Sequence, residues 1–94
     1  MTTLHFVYIV KCADDTLYTG WTLDVHRRVN QHNAGQGARY TRARRPVHLI
    51  YVEAVDNRRV AMQREIQIKH QNRASKTRLI NSKTNQIAVH QGKE

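Results

Sequence analysis

Few side chains in this sequence could do chemistry on a phosphodiester, and their types narrow what that chemistry would be. Hydrolysis of such a bond needs a positioned base for water, positive charge on the transition-state phosphate, and stabilisation of the leaving oxygen. Tyr8 and Tyr18 stand in segments rich in β-branched and aromatic residues. Arg28 and His32 are four positions apart, so on a helix they are neighbours on one face. Of the seven Asp and Glu, Asp14 and Asp15 read as a turn, Asp24 and Asp56 as helix caps, and Glu94 as part of a tail. Glu53 and Glu65 remain. A two-metal site draws on several clustered carboxylates, and this chain is poorly equipped to build one. A single ion on one carboxylate, completed by water and phosphate oxygens, suits a hard cation.

Charge is the reason to consider a polyanion at all. The 94 residues carry sixteen Lys and Arg against seven Asp and Glu, a net charge of +9, and eleven of the cations are Arg. The planar guanidinium suits bidentate phosphate contacts, and so small and basic a domain attracts polyanions. Hydrophobic residues at 39% and charged residues at 24% are near globular averages, which argues against wholesale disorder. The longest strongly apolar run, Phe6 to Val10, is far short of the ~18 residues of a spanning helix. No secretory leader is legible, and the lone Cys12 has no partner for an internal disulfide. A cytoplasmic location is expected on these grounds. Cys12 with His5 or His48 has no recognisable zinc spacing.

The elements that must position these groups follow from periodicity. Leu4 to Cys12 is apolar on both faces and reads as an internal strand. Ala13 to Asp15 is turn material, and Thr16 to Thr22 returns as a second strand. A three-residue loop pairs Cys12 with Thr16, which puts Tyr8, Val10, Tyr18 and Gly20 on one face and Val7, Ile9, Leu17 and Trp21 on the other. Thr22 or Asp24 caps a helix to about Asn33, with Gly35 as its stop. Residues 34–45 read as a flexible basic loop. Val47 to Val55 is a third strand, and Asp56 caps a helix to about Asn72 whose apolar stripe is Ala61, Met62, Ile66 and Ile68, with Glu65 inside it. An unpaired carboxylate there is costly, which a metal or an Arg would explain. Ser75 caps a short helix carrying Leu79 and Ile80. The expected architecture is α+β: a small three-stranded antiparallel sheet flanked by helices in the order β-β-α-β-α-α. One domain spans residues 1–82, and residues 83–94 form a polar, frayed tail.

Phe6-Val7-Tyr8, Tyr18-Thr19-Gly20, Arg28, His32 and Glu65, in this order along residues 4 to 80, resemble the GIY-YIG nuclease family. The stretch from Tyr18 to His32 is similar to the small stand-alone bacterial branch. The resemblance implies roles. Tyr8 and Tyr18 would place and deprotonate the attacking water, and Arg28 would stabilise the phosphate. His32 would stand near the base or the phosphate, and Glu65 would bind Mg²⁺ (or Mn²⁺). The implied reaction is metal-dependent hydrolysis of a nucleic-acid phosphodiester, chiefly of DNA. Phe6, Val7 and Thr19 depart from the motif's name at packing positions. Several members carry a late asparagine after the glutamate; Asn72 and Asn81 are available here, at spacings that match none.

Structural readings compete with these. Tyrosines fit pleated, half-buried strands; His32 near a helix end is a routine dipole partner; Lys69 is well placed to pair with Glu65. Trp21 reads as core. Arg27, Arg28, Arg39, Arg42, Arg44 and Arg45, with no acidic residue among them, read as phosphate contacts, and Tyr40 as a surface on which a base could stack. Three functions stay open: an endonuclease on structured DNA, a non-catalytic domain binding DNA or structured RNA, and a nuclease active only with a protein partner that supplies specificity.

Overall fold

A computed structural model describes residues 3–91, so Glu94 and the last part of the expected tail lie outside the described residues. Strands β1 (His5–Lys11) and β2 (Leu17–Thr22) form a hairpin with Tyr8 opposite Gly20 and Val10 opposite Tyr18. That is the register expected from a three-residue loop. The loop closes through Cys12 N–H to the Thr16 carbonyl at 2.8 Å, and Asp15 takes the left-handed conformation, φ 68°, that this turn requires. Strand β3 (His48–Val55) pairs antiparallel on the other side of β1, giving the order β2-β1-β3 and leaving β2 as an open edge.

Because β1 is central, both its faces are covered. Val7, Ile9 and Tyr51 pack with Ala61 and Ile68 of α3 (Arg58–Lys69) on one side. Tyr8, Val10, Cys12 and Val47 pack on the other, where α1 (Val25–Asn33) contributes Val29. Asp24 caps α1 by accepting from the Arg27 N–H. Helix α1 ends at Ala34, and Gly35 follows at φ +81°, the stop expected of it.

Local details differ from the sequence expectation for identifiable reasons. The basic segment is not an irregular loop throughout: α2 (Arg39–Arg42) forms within it. Asn57, not Asp56, caps α3, and Asn72, not Ser75, caps α4 (Arg73–Ile80); each accepts the N–H three residues on. An Asn amide oxygen satisfies that orphan donor as well as a carboxylate or hydroxyl does. The buried face of α3 is set by Ala61 and Ile68, while Met62 and Ile66 stand exposed, because the helix meets the sheet along the line 61-64-65-68. The segment after Ser82 is not frayed throughout. Helix α5 (Ile87–Gln91) packs on β3, and the Gln86 N–H donates to the Val52 carbonyl.

Asn85 explains that anchoring. Its amide nitrogen donates to the Ile50 and Ile80 carbonyls at 2.9 and 2.8 Å, and its oxygen accepts from the Val52 and Ile87 N–H groups. One polar side chain thereby ties β3 to the ends of two helices. Asn85→Ala would leave those groups unpaired, and urea unfolding is expected to show a loss of about 2 kcal/mol.

Candidate active site

Tyr8 is in the central strand, yet its hydroxyl reaches the sheet edge because the residue opposite has no side chain. A Cβ on Gly20 would lie 2.6 Å from Tyr8 Oη, so glycine lets the phenol ring lie across β2. The hydroxyl then meets His32, carried by the last turn of α1. Tyr8 Oη and His32 Nε2 are 2.8 Å apart, and His32 Nδ1 is 2.7 Å from Thr41 Oγ1 of α2. Thr41 donates its own hydroxyl proton to the Ala38 carbonyl, so its oxygen accepts from His32 Nδ1–H. That network assigns the tautomer: Nε2 is bare and accepts from the Tyr8 hydroxyl. Tyr8, His32 and Thr41 are at most 1% exposed. Gly37 seats the imidazole, since a Cβ there would come within 2.9 Å of the His32 Cα.

Burial sets the charge states. It pushes the Tyr8 hydroxyl up to about 12, against the pull of the nearby Arg28 guanidinium, with Tyr18 and Glu65 raising it further. Burial, aided by Arg28, pushes His32 down to about 4. The imidazole is neutral at pH 7, so it is not a charged dipole partner. Three of the expected residues, Arg28, Tyr18 and Glu65, thus bear on the charge state of the Tyr8 hydroxyl. Arg28 is half-buried, with Nη1 donating to Gln31 Oε1 at 3.2 Å. Tyr18 lies with its ring centroid 5.3 Å from that of His32, and Lys69 Nζ sits 5.8 Å over the Tyr18 ring.

The two remaining carboxylates part company. Glu53 is buried on the face of the sheet that α3 covers, accepts from Tyr51 Oη, and pairs with Arg64 Nε at 2.8 Å. Those partners occupy it. Glu65 comes over the β2 side from α3, its side chain 19% exposed, with a 3.6 Å pairing to a Lys69 that is itself 47% exposed. A long contact to an exposed ammonium is easily exchanged, so Glu65 can offer oxygen to a hard cation whose other positions would be filled by water and phosphate. Among the described residues, no three His, Cys, Asp or Glu side chains gather into a cage. Asn72 is committed to its cap, and Asn81 lies at the C-terminal end of α4.

The basic rim divides in the same way. Arg27, Arg39 and Arg42 are exposed, with no side-chain partner among the described residues. Arg44 pairs with Asp14 at 3.1 Å, donates to the Tyr40 carbonyl at 2.7 Å and lies 3.9 Å over the Tyr40 ring. Arg45 donates to the Arg42 and Asn33 carbonyls. Tyr40 is also stacked on Tyr18 at 6.0 Å, so Arg44 and Tyr18 compete for the faces a base would need. Sequence reading missed Thr41 and Lys76, and took Lys69 only as a partner for Glu65, a pairing the structure shows. The lysines, Lys69 from α3 and Lys76 from α4, line a notch with Tyr18 and Tyr40, and only the fold brings them together.

The sheet, the tyrosine pair and the glutamate from the third helix define a class: the chain belongs to the GIY-YIG catalytic domain family, whose model matches residues 4–79. Within that class it is similar to the small UPF0213 proteins. It is 54% identical over 80 residues to one from Natronomonas pharaonis, covering 85% of this chain and 94% of that protein. It is 57% identical over 76 residues to one from Staphylococcus aureus, covering 81% and 93%. The solution NMR structure of the UPF0213 protein of Bacillus halodurans aligns with TM-score 0.57 at 39% identity, covering 94% of each chain. A solution structure of a protein from E. faecalis aligns with TM-score 0.58 at 33% identity, over 86% of this chain and 88% of that one.

The neutral His32 has a consequence for stability. Its folded value of about 4 lies below the ordinary value of 6.5, so between these the unfolded chain binds a proton that the folded one does not. The stabilisation is whole above pH 6.5 and is lost as pH falls towards 4, amounting to about 3 kcal/mol. Denaturant midpoints between pH 7 and 4 are expected to fall less steeply for His32→Gln than for the parent protein.

Proposed function

We propose that the protein is a metal-dependent endonuclease that hydrolyses phosphodiester bonds of DNA. The observation that carries this reading is the buried Tyr8–His32–Thr41 hydrogen-bond chain ending beside Arg28, Tyr18 and Glu65. Tyr8 donates its proton to His32, so its lone pairs are free to accept from water. As Tyr8 takes the water's proton, its own passes to His32 Nε2, and Thr41 holds the Nδ1–H that keeps the ring aligned. Arg28 helps to depress His32, so an arriving phosphate that engages the guanidinium relieves that depression and makes the base stronger when substrate is bound. Arg28 also neutralises charge developing on the phosphate. Tyr18 bounds the hollow in which the water is oriented. Glu65 would hold Mg²⁺ or Mn²⁺, which when bound supplies Lewis-acid stabilisation of the leaving oxygen.

A second reading, a nuclease completed by a protein partner, draws support from Met62 and Ile66, exposed beside Arg58 and Arg59 on α3. Cutting that appears only after a cellular extract is added would favour it. The direct test incubates the purified protein with flap, loop, nicked and plain duplex DNA, with Mg²⁺ or with EDTA. Metal-dependent cutting is expected, with Tyr8→Phe, Arg28→Ala and Glu65→Gln each reducing it by about 10²-fold or more. Binding without cutting, unchanged in Glu65→Gln, would instead identify a non-catalytic binding domain.

Affinity should depend on the exposed rim. Removing Arg27, Arg39 and Arg42 together is expected to weaken binding on all sequences alike and to flatten the salt dependence by up to ~0.9 log units per lost contact. Arg44→Ala should act chiefly through stability, because that guanidinium is already engaged.

A further inference from the structure

Beside the catalytic cluster, at the end of β2, lies an open cleft of about 440 Å³ lined by Trp21, Leu23, Asp24, Arg27, Arg28 and Gln31. Its size is within the range of about 300–1,000 Å³ typical of small-ligand sites. Arg28 is a wall of this cleft and also acts on the Tyr8 hydroxyl, so whatever fills the cleft adjoins the phosphate at the cluster. We infer that the cleft receives one unpaired nucleobase next to the scissile phosphate, and so confers a preference for DNA with a single-stranded nucleotide at the cut. The placement relative to the cut rests on the nuclease reading; occupancy of the cleft does not.

The lining chemistry selects this occupant. Trp21 packs partly against the core of Val7, Ile9, Ala61 and Ile68, as expected of it, with His5 5.8 Å away between ring centroids and the Arg58 guanidinium 5.7 Å over its ring; the rest of the indole lines the cleft. Leu23, 55% exposed, adds an apolar surface that folding leaves uncovered. The indole surface left in the cleft and an apolar wall suit a flat base. The Asp24 carboxylate on the rim is wrong for a bare phosphate but can accept from an exocyclic amino group. Gln31 gives its oxygen to Arg28, leaving its amide hydrogens to donate to a base carbonyl. Arg27, exposed at the mouth, can meet the phosphate that follows. A base inside a duplex is stacked on both faces and cannot enter, so the occupant is unpaired.

Trp21 is the only tryptophan in the chain, so its emission reports on this cleft alone. The protein is titrated in EDTA, where no cutting is needed, with a hairpin duplex carrying a single-stranded cytidine overhang and with its blunt counterpart. Fluorescence anisotropy of the labelled DNA measures binding independently. Trp21 quenching by the overhang but not by the blunt hairpin is expected. Leu23→Ala, at an exposed residue outside the core, is expected to weaken overhang binding by about tenfold and leave blunt binding unchanged. Overhang binding without a change in Trp21 emission, or equal quenching by both DNAs, overturns the inference. Quenching that persists in a protein that never cuts leaves the subsite standing and removes the nuclease reading instead.

Discussion

One buried hydrogen-bond chain governs the rest of this structure. Tyr8, His32 and Thr41 come from three separate elements, and their side chains are almost wholly enclosed by protein. An unmet polar group in such a place costs on the order of 1–3 kcal/mol, so β1, α1 and α2 must arrive together or not at all. Gly20 and Gly37 are the openings that permit it: each vacates the space into which a ring of the pair must fit. The arrangement also fixes chemistry. Burial holds the phenol and the imidazole both neutral at pH 7, which is the resting state the proposed proton relay requires.

The economy of carboxylates follows from the two faces of one sheet. Glu53 and Glu65 were equal candidates by composition, but β3 turns Glu53 towards α3, where Tyr51 and Arg64 absorb its charge. Glu65, one position beyond Arg64 on the same helix, escapes that pair, meets Lys69 instead, and adds its negative charge to the surroundings of the Tyr8 hydroxyl. A step of one residue on α3 thus separates a structural ion pair from a candidate metal ligand.

Much of this was legible in the sequence because it depends on parity and period. The odd hairpin loop fixed which residues share a face with Tyr8, and helical spacing set Arg28 beside His32. The family of the chain could also be read from residue types in order. What escaped were contacts between elements distant in sequence. Thr41 was hidden in a stretch read as loop, and nothing local distinguishes a threonine that orients a histidine nine residues away. Asn85 looked like tail because its four partners lie on β3, at the end of α4 and at the start of α5. The exposure of Met62 and Ile66 depends on the roll of α3 against β2, which a helical wheel cannot supply when Arg64 and Glu65 compete for the inner face.

Arg44 shows what the basic segment gains from being partly self-occupied. By gripping Asp14, the Tyr40 carbonyl and the Tyr40 ring, it pins α2 to the β1–β2 hairpin, with the Ala13 N–H to Arg44 carbonyl bond as a second fastening. The neighbouring Arg39 and Arg42 are therefore mounted on a stiff bracket rather than a swinging arm. A polyanion arriving there meets guanidinium groups whose backbone freedom was surrendered during folding, and the entropy of association is correspondingly less unfavourable. Loosening that bracket would weaken the proposed grip on DNA without removing a single charge.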